Sequence, residues 1–117
     1  MEALSKLKCI ACRGGEPPAS AEELREYQPQ IPEWKVVEVE GVPRLQRLFK
    51  FKDFAAALEF TNRVGDIAEA EDHHPRLVTE WGRVTVEWWT HIIKGLHRND
   101  LIMAAKTDEV FRSIIPD

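Results

Sequence analysis

Leu77-Val78-Thr79-Glu80-Trp81-Gly82-Arg83-Val84-Thr85-Val86-Glu87-Trp88-Trp89-Thr90-His91 is the stretch that decides the fold. It holds two runs, Leu77 to Trp81 and Val84 to His91, dense in β-branched and aromatic residues and joined at Gly82-Arg83, where only a tight turn fits. Working outward, Trp34 to Val39 and Leu45 to Phe51 repeat the pattern around a turn at Glu40-Gly41-Val42-Pro43. Strands that arrive as hairpins lie antiparallel, because parallel neighbours need a long crossover connection. The expectation is an α+β fold in the order α-β-β-α-β-β-α: a four-stranded antiparallel sheet with helices packed on one face.

Between the hairpins, Phe54, Ala57, Leu58, Thr61, Val64, Ile67 and Ala68 recur at helical spacing behind Asp53, a residue suited to capping the first turn. Proline disfavours helical geometry in the residue before it, so Pro75 predicts an end at about His73 or His74. Ser20 followed by Glu23 is a capping-box pattern that predicts a short first helix ending before Pro29. The run from Asn99 or Asp100 to about Arg112 predicts the last helix. In the hairpins, Leu45, Phe49 and Phe51 share a face with Arg47 as the exception, and Thr85, Glu87, Trp89 and His91 share another.

A chain of 117 residues suits one core. Glycine and proline concentrate in Arg13-Gly14-Gly15-Glu16-Pro17-Pro18, so residues 1–19 read as a flexible N-terminal arm and 20–117 as a single domain. The balance of 44% hydrophobic and 31% charged residues is that of a globular protein, and a net charge of -4 argues against direct nucleic-acid binding. No run has the length of a signal-peptide core or a membrane span, which points to the cytoplasm. Cys9 and Cys12 lack a second pair at zinc-finger spacing and read as two free thiols on the arm.

The chemistry concentrates in Glu69-Ala70-Glu71-Asp72-His73-His74-Pro75. Glu69 and His73 share a face if the helix reaches that far, and His91 can approach from the second hairpin. Imidazoles titrate near neutral pH, so such a group around one cavity can both give and take a proton. That suits a dehydration, in which a protonated hydroxyl leaves as a neighbouring nitrogen loses its proton. Two other readings stand beside it: charge at a helix end stabilised by the helix dipole, and a metal site, disfavoured because adjacent helical side chains diverge. Trp88 reads as core, whereas Trp81 and Trp89 suit either core packing or stacking on a flat ring. Arg44, Arg47, Lys50 and Lys52 read as a solvated face.

Glu69, His73-His74-Pro75, Trp81, His91 and Asp100, at their spacing, resemble the signature of the pterin-4a-carbinolamine dehydratases. The likeness runs on through Trp34, Phe49 to Phe54, Thr61-Asn62-Arg63-Val64 and Gly95-Leu96, covering roughly Ser20 to Arg112. The resemblance implies conversion of a 4a-hydroxytetrahydropterin to quinonoid dihydropterin and water, recycling the pterin of aromatic amino acid hydroxylases without metal or cofactor. It implies functional roles for His73, His74 and His91, with His73 and His91 as acid or base and His74 positioning the substrate. It further implies pterin contacts at His73 to Pro75 and along Thr90, His91, Ile92 and Ile93, with Glu69, Asp100 and Trp81 in support. The chain departs from animal members at Trp81, where they have tyrosine, and at Asn99, where they have arginine. The arm is similar to that of bacterial members. A homodimer or homotetramer is implied, as is an alternative role as a transcriptional, hydroxylase-regulating or molybdenum-cofactor accessory module.

Overall fold

The computed structural model describes residues 3–10 and 17–114. Ser20 caps α1 (Ala21–Tyr27) by accepting from the Glu23 amide at 3.0 Å, and Asp53 caps α2 (Phe54–Glu71) by accepting from Ala56 at 2.9 Å. With β1 (Lys35–Val39), β2 (Val42–Lys50), β3 (Arg76–Glu80), β4 (Arg83–Trp88) and α3 (Arg98–Ile114), the order is the expected one. The four strands form one antiparallel sheet in the order β1-β2-β4-β3, so β2 and β4 are central and β1 and β3 are edges.

The first hairpin turn is tighter than the sequence suggests, and the second is as tight as expected but sits one residue earlier. Glu40 and Gly41, both at positive φ, make the first, and Val42 and Pro43 already pair with Val39 and Glu38. Trp81-Gly82 makes the second, so Arg83 belongs to β4. A two-residue turn with both residues at positive φ matches the twist of the flanking strands, which is why Glu40-Gly41 displaces the longer loop.

The register places Leu45, Phe49, Val84, Val86 and Trp88 on the helix-facing side of the sheet, all buried. Ala57, Phe60, Val64 and Ala68 of α2 and Leu101 to Ala105 of α3 close the core over them. Phe60, absent from the helical stripe read in the sequence, is fully buried and its ring lies 4.7 Å from that of Phe49. Phe54 and Leu58, counted in that stripe, are exposed at 45% and 43% and so lie off the core face. Burying an aromatic of this size stabilises by about 1.5–3 kcal/mol, enough to set the rotation of α2.

Arg47 sits on the core side rather than on a solvated face. Its guanidinium donates to Asp108 at 2.7 Å and lies 4.3 Å from the Phe49 ring, and Asp108 also accepts from Trp34 Nε1 at 2.8 Å. Arg44 is likewise engaged, donating to Glu87 at 2.8 Å; Gln46 also donates to Glu87, leaving that residue only 3% exposed on the sheet's other face. The N-terminal segment, read as an arm apart from the core, contributes Leu4 to it: a 3-10 turn over Leu4–Lys6 seats that side chain fully buried. The Leu4 amide donates to Gln30 Oε1 and Lys106 Nζ donates to the Ser5 carbonyl. Cys12 and the glycines of the arm lie outside the described residues. Among the described residues, no helix is long and apolar enough to cross a membrane.

Candidate active site

α2 ends two or more residues before Pro75 would stop it. Asp72 adopts the left-handed conformation (φ 52), its amide donating to Glu69 O while the His73 amide donates to Ala68 O. This is a Schellman termination, which satisfies the carbonyls of Ala68 and Glu69 and turns the chain away from the helix axis. Glu69 and His73 therefore do not form the same-face pair that a longer helix would give. His74 Nε2 meets Glu69 Oε1 instead, at 2.8 Å and largely exposed, and His73 turns inward.

The His73 ring stacks on buried Trp88, with centroids 5.8 Å apart and planes 7° from parallel, and its Nε2 lies 2.6 Å from Asp100 Oδ1. Asp100 is wholly buried; its other oxygen accepts from Thr90 Oγ1 at 2.8 Å and from the His97 amide at 2.9 Å. The bond to His97 caps α3 as well, since His97 precedes the helix and its Nδ1 accepts from the Asn99 amide at 3.0 Å. One carboxylate thus fastens a helix start, the strand end at Thr90 and an imidazole. An ionised carboxylate only accepts, so Nε2 of His73 donates and the lone pair of the neutral ring resides on Nδ1. Among the described residues, that Nδ1 makes no hydrogen bond.

His91 is not on a strand. β4 stops at Trp88, and Thr90 pairs with Gly95 in an isolated bridge that closes a short loop holding a 3-10 turn over His91–Ile93. Lys94, at φ 52, completes this reversal. The His91 ring stacks on Trp89 at 4.4 Å and 3°, and the Arg44 guanidinium lies 3.8 Å over the same indole. Trp88 and Trp89 thus each back one histidine.

These pieces meet around a cavity of about 340 Å3. Asp72, His73 and His74 line it from the end of α2, Thr90, His91 and Ile92 from the loop after β4. The remaining lining comes from Glu71, from Asn99 in the first turn of α3, and from Cys9 and Ile10 of the N-terminal segment. Burial first, then the charges of Glu71 and Asp100, pushes the Cys9 thiol up to about 12, so it stays neutral. Among the described residues, no group of three or more histidine, cysteine or acidic side chains is arranged to hold a metal.

The model of the family described as pterin 4 alpha carbinolamine dehydratase matches residues 17–110. The chain belongs to this family. A protein of Syntrophotalea carbinolica with the provisional name pterin-4-alpha-carbinolamine dehydratase is 62% identical over 92% of this chain and 96% of that one. One of Nitrosococcus oceani with the same provisional name is 55% identical over 96% of this chain and 99% of its own. A crystal structure of a transcriptional coactivator/pterin dehydratase from Brucella melitensis superposes with a TM-score of 0.71 at 32% identity, covering 80% of this chain and 98% of that one.

For this pterin dehydratase family member, the residues singled out in the sequence divide into three groups. His73, His74, Thr90, His91 and Ile92 converge on the cavity, and Asp100 lies behind His73. Pro75 and Glu69 line a neighbouring groove that His74 shares, and Ile93 ends its 3-10 turn outside the cavity lining. Trp81, 71% exposed, occupies the β3–β4 turn. The far end of that hairpin, where Arg76 pairs with Glu87, adjoins the histidines. Five strand residues at about 3.3 Å each separate the two ends, so Trp81 cannot support this cavity within the chain. Sequence reasoning assigned no site role to Cys9, Ile10, Glu71, Asp72 or Asn99, although Glu71 and Asp72 lay within the acidic–histidine stretch it singled out and Asn99 was noted as a departure; only Ile10 carried no signal.

Proposed function

We propose that the cavity binds a 4a-hydroxytetrahydropterin and expels its hydroxyl as water by histidine acid–base catalysis, yielding quinonoid dihydropterin. The observation that carries the reading is the Asp100–His73 pair, an imidazole with its tautomer fixed from behind and its Nδ1 lone pair unspent, lining the same cavity as His91. A carboxylate behind an imidazole strengthens it as a base and fixes its aim. His73 takes the proton from the ring nitrogen next to C4a. The electron pair released forms the C=N bond as the C4a–O bond breaks, and His91, entering as the imidazolium, protonates the departing hydroxyl. The proton gained at His73 and the one lost at His91 balance, and solvent exchange at exposed His91 restores both rings. His74, paired to Glu69, orients the substrate.

In this reading the enzyme works in the cytoplasm and returns pterin to an aromatic amino acid hydroxylase. It does so as a homo-oligomer of at least two chains, consistent with open edges at β1 and β3 and with exposed Phe54 and Leu58. The Brucella relative is described as a transcriptional coactivator as well as a pterin dehydratase; a coactivating role here would survive loss of the histidines. The test is the ultraviolet decay of 4a-hydroxytetrahydropterin generated in situ by a hydroxylase. The protein should accelerate decay in proportion to its concentration, and decay at the buffer rate would refute the proposal.

A further inference from the structure

Ile10 joins an exposed apolar side chain to a backbone held in place. Its side chain is 62% exposed, yet its backbone is gripped on both sides by one buried amide: Asn99 Oδ1 accepts from Ile10 N at 3.0 Å and Asn99 Nδ2 donates to Ile10 O at 2.7 Å. One residue earlier, the Cys9 amide donates to Glu71 Oε1 at 2.8 Å, and the Cys9 thiol reaches the Asn99 carbonyl at 3.8 Å. Upstream, buried Leu4 anchors the segment to the core. The two clasping side chains occupy telling positions. Glu71 is the last residue of α2 before the turn that delivers His73, and Asn99 directly precedes Asp100, which holds His73.

An apolar side chain held in water by its own backbone gains nothing from the fold, but it offers a ready apolar contact to a flat heterocycle entering the cavity that it lines. Ordering that contact in advance reduces the entropy lost on binding. We propose that Cys9-Ile10 forms a wall of the pterin cavity, with Ile10 contacting the bound reduced pterin and Asn99 acting as the positioning residue that holds the wall in place. The neutral Cys9 thiol keeps that wall uncharged across the physiological range. The inference rests on the dehydratase reading and assigns this site a residue pair remote in sequence from its histidines.

The test uses the full-length chain and its Asn99→Ala, Ile10→Ala and Ile10→Leu variants. Binding of 7,8-dihydrobiopterin is followed by tryptophan fluorescence, the dehydration by its kcat and KM, and the docking of the segment by hydrogen exchange at the Cys9 and Ile10 amides. Losing an apolar wall weakens binding by about tenfold, so Kd and KM should rise by that order in Asn99→Ala and Ile10→Ala while kcat changes much less. Ile10→Leu, which keeps the apolar surface, should restore both, and exchange should quicken only in Asn99→Ala. An active native protein whose Ile10→Ala variant keeps the native Kd and KM overturns the wall, even if Asn99→Ala misfolds. A native protein that neither binds the pterin nor dehydrates it overturns the functional reading and the wall together, an outcome distinct from the first.

Discussion

Asp100→Asn is the most informative single change. Asp100 Oδ2 accepts two hydrogen bonds, one from Thr90 Oγ1 and one from the His97 backbone amide, whereas Oδ1 faces His73 Nε2 alone. A backbone amide cannot reverse its polarity. The carbonyl oxygen of the new amide must therefore take the Oδ2 position, which turns its NH2 toward His73. Nε2 of His73 is then forced to accept, the ring proton moves to Nδ1, and the lone pair assigned as the base is lost without removing any imidazole. In a comparable carboxylate–imidazole pair the wrong tautomer costs about 10^4 in kcat, and general acid–base contributions run from about a hundred- to ten-thousand-fold, so a fall in kcat within that range is expected. The fold should persist, weakened by about 1.5–3 kcal/mol for the lost charge-assisted bond. The assay is pterin decay at saturating substrate, with nitrogen-15 shifts of His73 to report the tautomer. A folded variant within about threefold of native kcat, far outside that expected range, would refute the reasoning about His73.

Three further outcomes follow from the packing. Phe60→Ala should cost about 3–5 kcal/mol in urea unfolding, because the ring is fully buried against Phe49, Phe51 and Phe111. Burial alone would raise the Glu87 carboxyl, but hydrogen bonds from Arg44 and Gln46 and the charges of Arg76 and Arg44 hold it below its ordinary value of 4.5. Its contribution is therefore present above that value and lost as pH falls through the lower folded-state value. Glu87→Gln should lower stability by about 2 kcal/mol at neutral pH and converge on the native protein in acid, as read from melting temperatures across pH. Light scattering after size exclusion should give at least twice the mass of one 13.5 kDa chain, and a monomer at all concentrations would rule out the oligomer.

The shared face of Leu45 and Phe49, the capping by Ser20 and Asp53 and the paired hairpins were readable because each is local: period, cap and turn lie within a few residues of one another. The rotation of α2 was not. Phe54 and Leu58 fit the helical period as well as Phe60 does, and only the position of the Phe49 ring selects among them. The helix ends before Pro75 requires it because Asp72 takes a left-handed conformation that leaves no mark in the sequence of the kind a glycine would. The histidines were legible, as were Glu69 and Asp100 that bond two of them, but the rings that back them were not. Trp88 beneath His73, Trp89 beneath His91, and the return of Cys9 and Ile10 to Asn99 are contacts between distant segments that no spacing rule encodes.

The most direct measurement is the rate of 4a-hydroxytetrahydropterin decay with the native protein, His73→Ala and His91→Ala, each verified as folded. Catalysis by the native chain and a loss of about a hundredfold or more in each variant are expected, because the proposed mechanism uses one histidine as base and the other as acid. Native-like rates in both variants would contradict that assignment, and would move the proton transfers to groups other than these imidazoles.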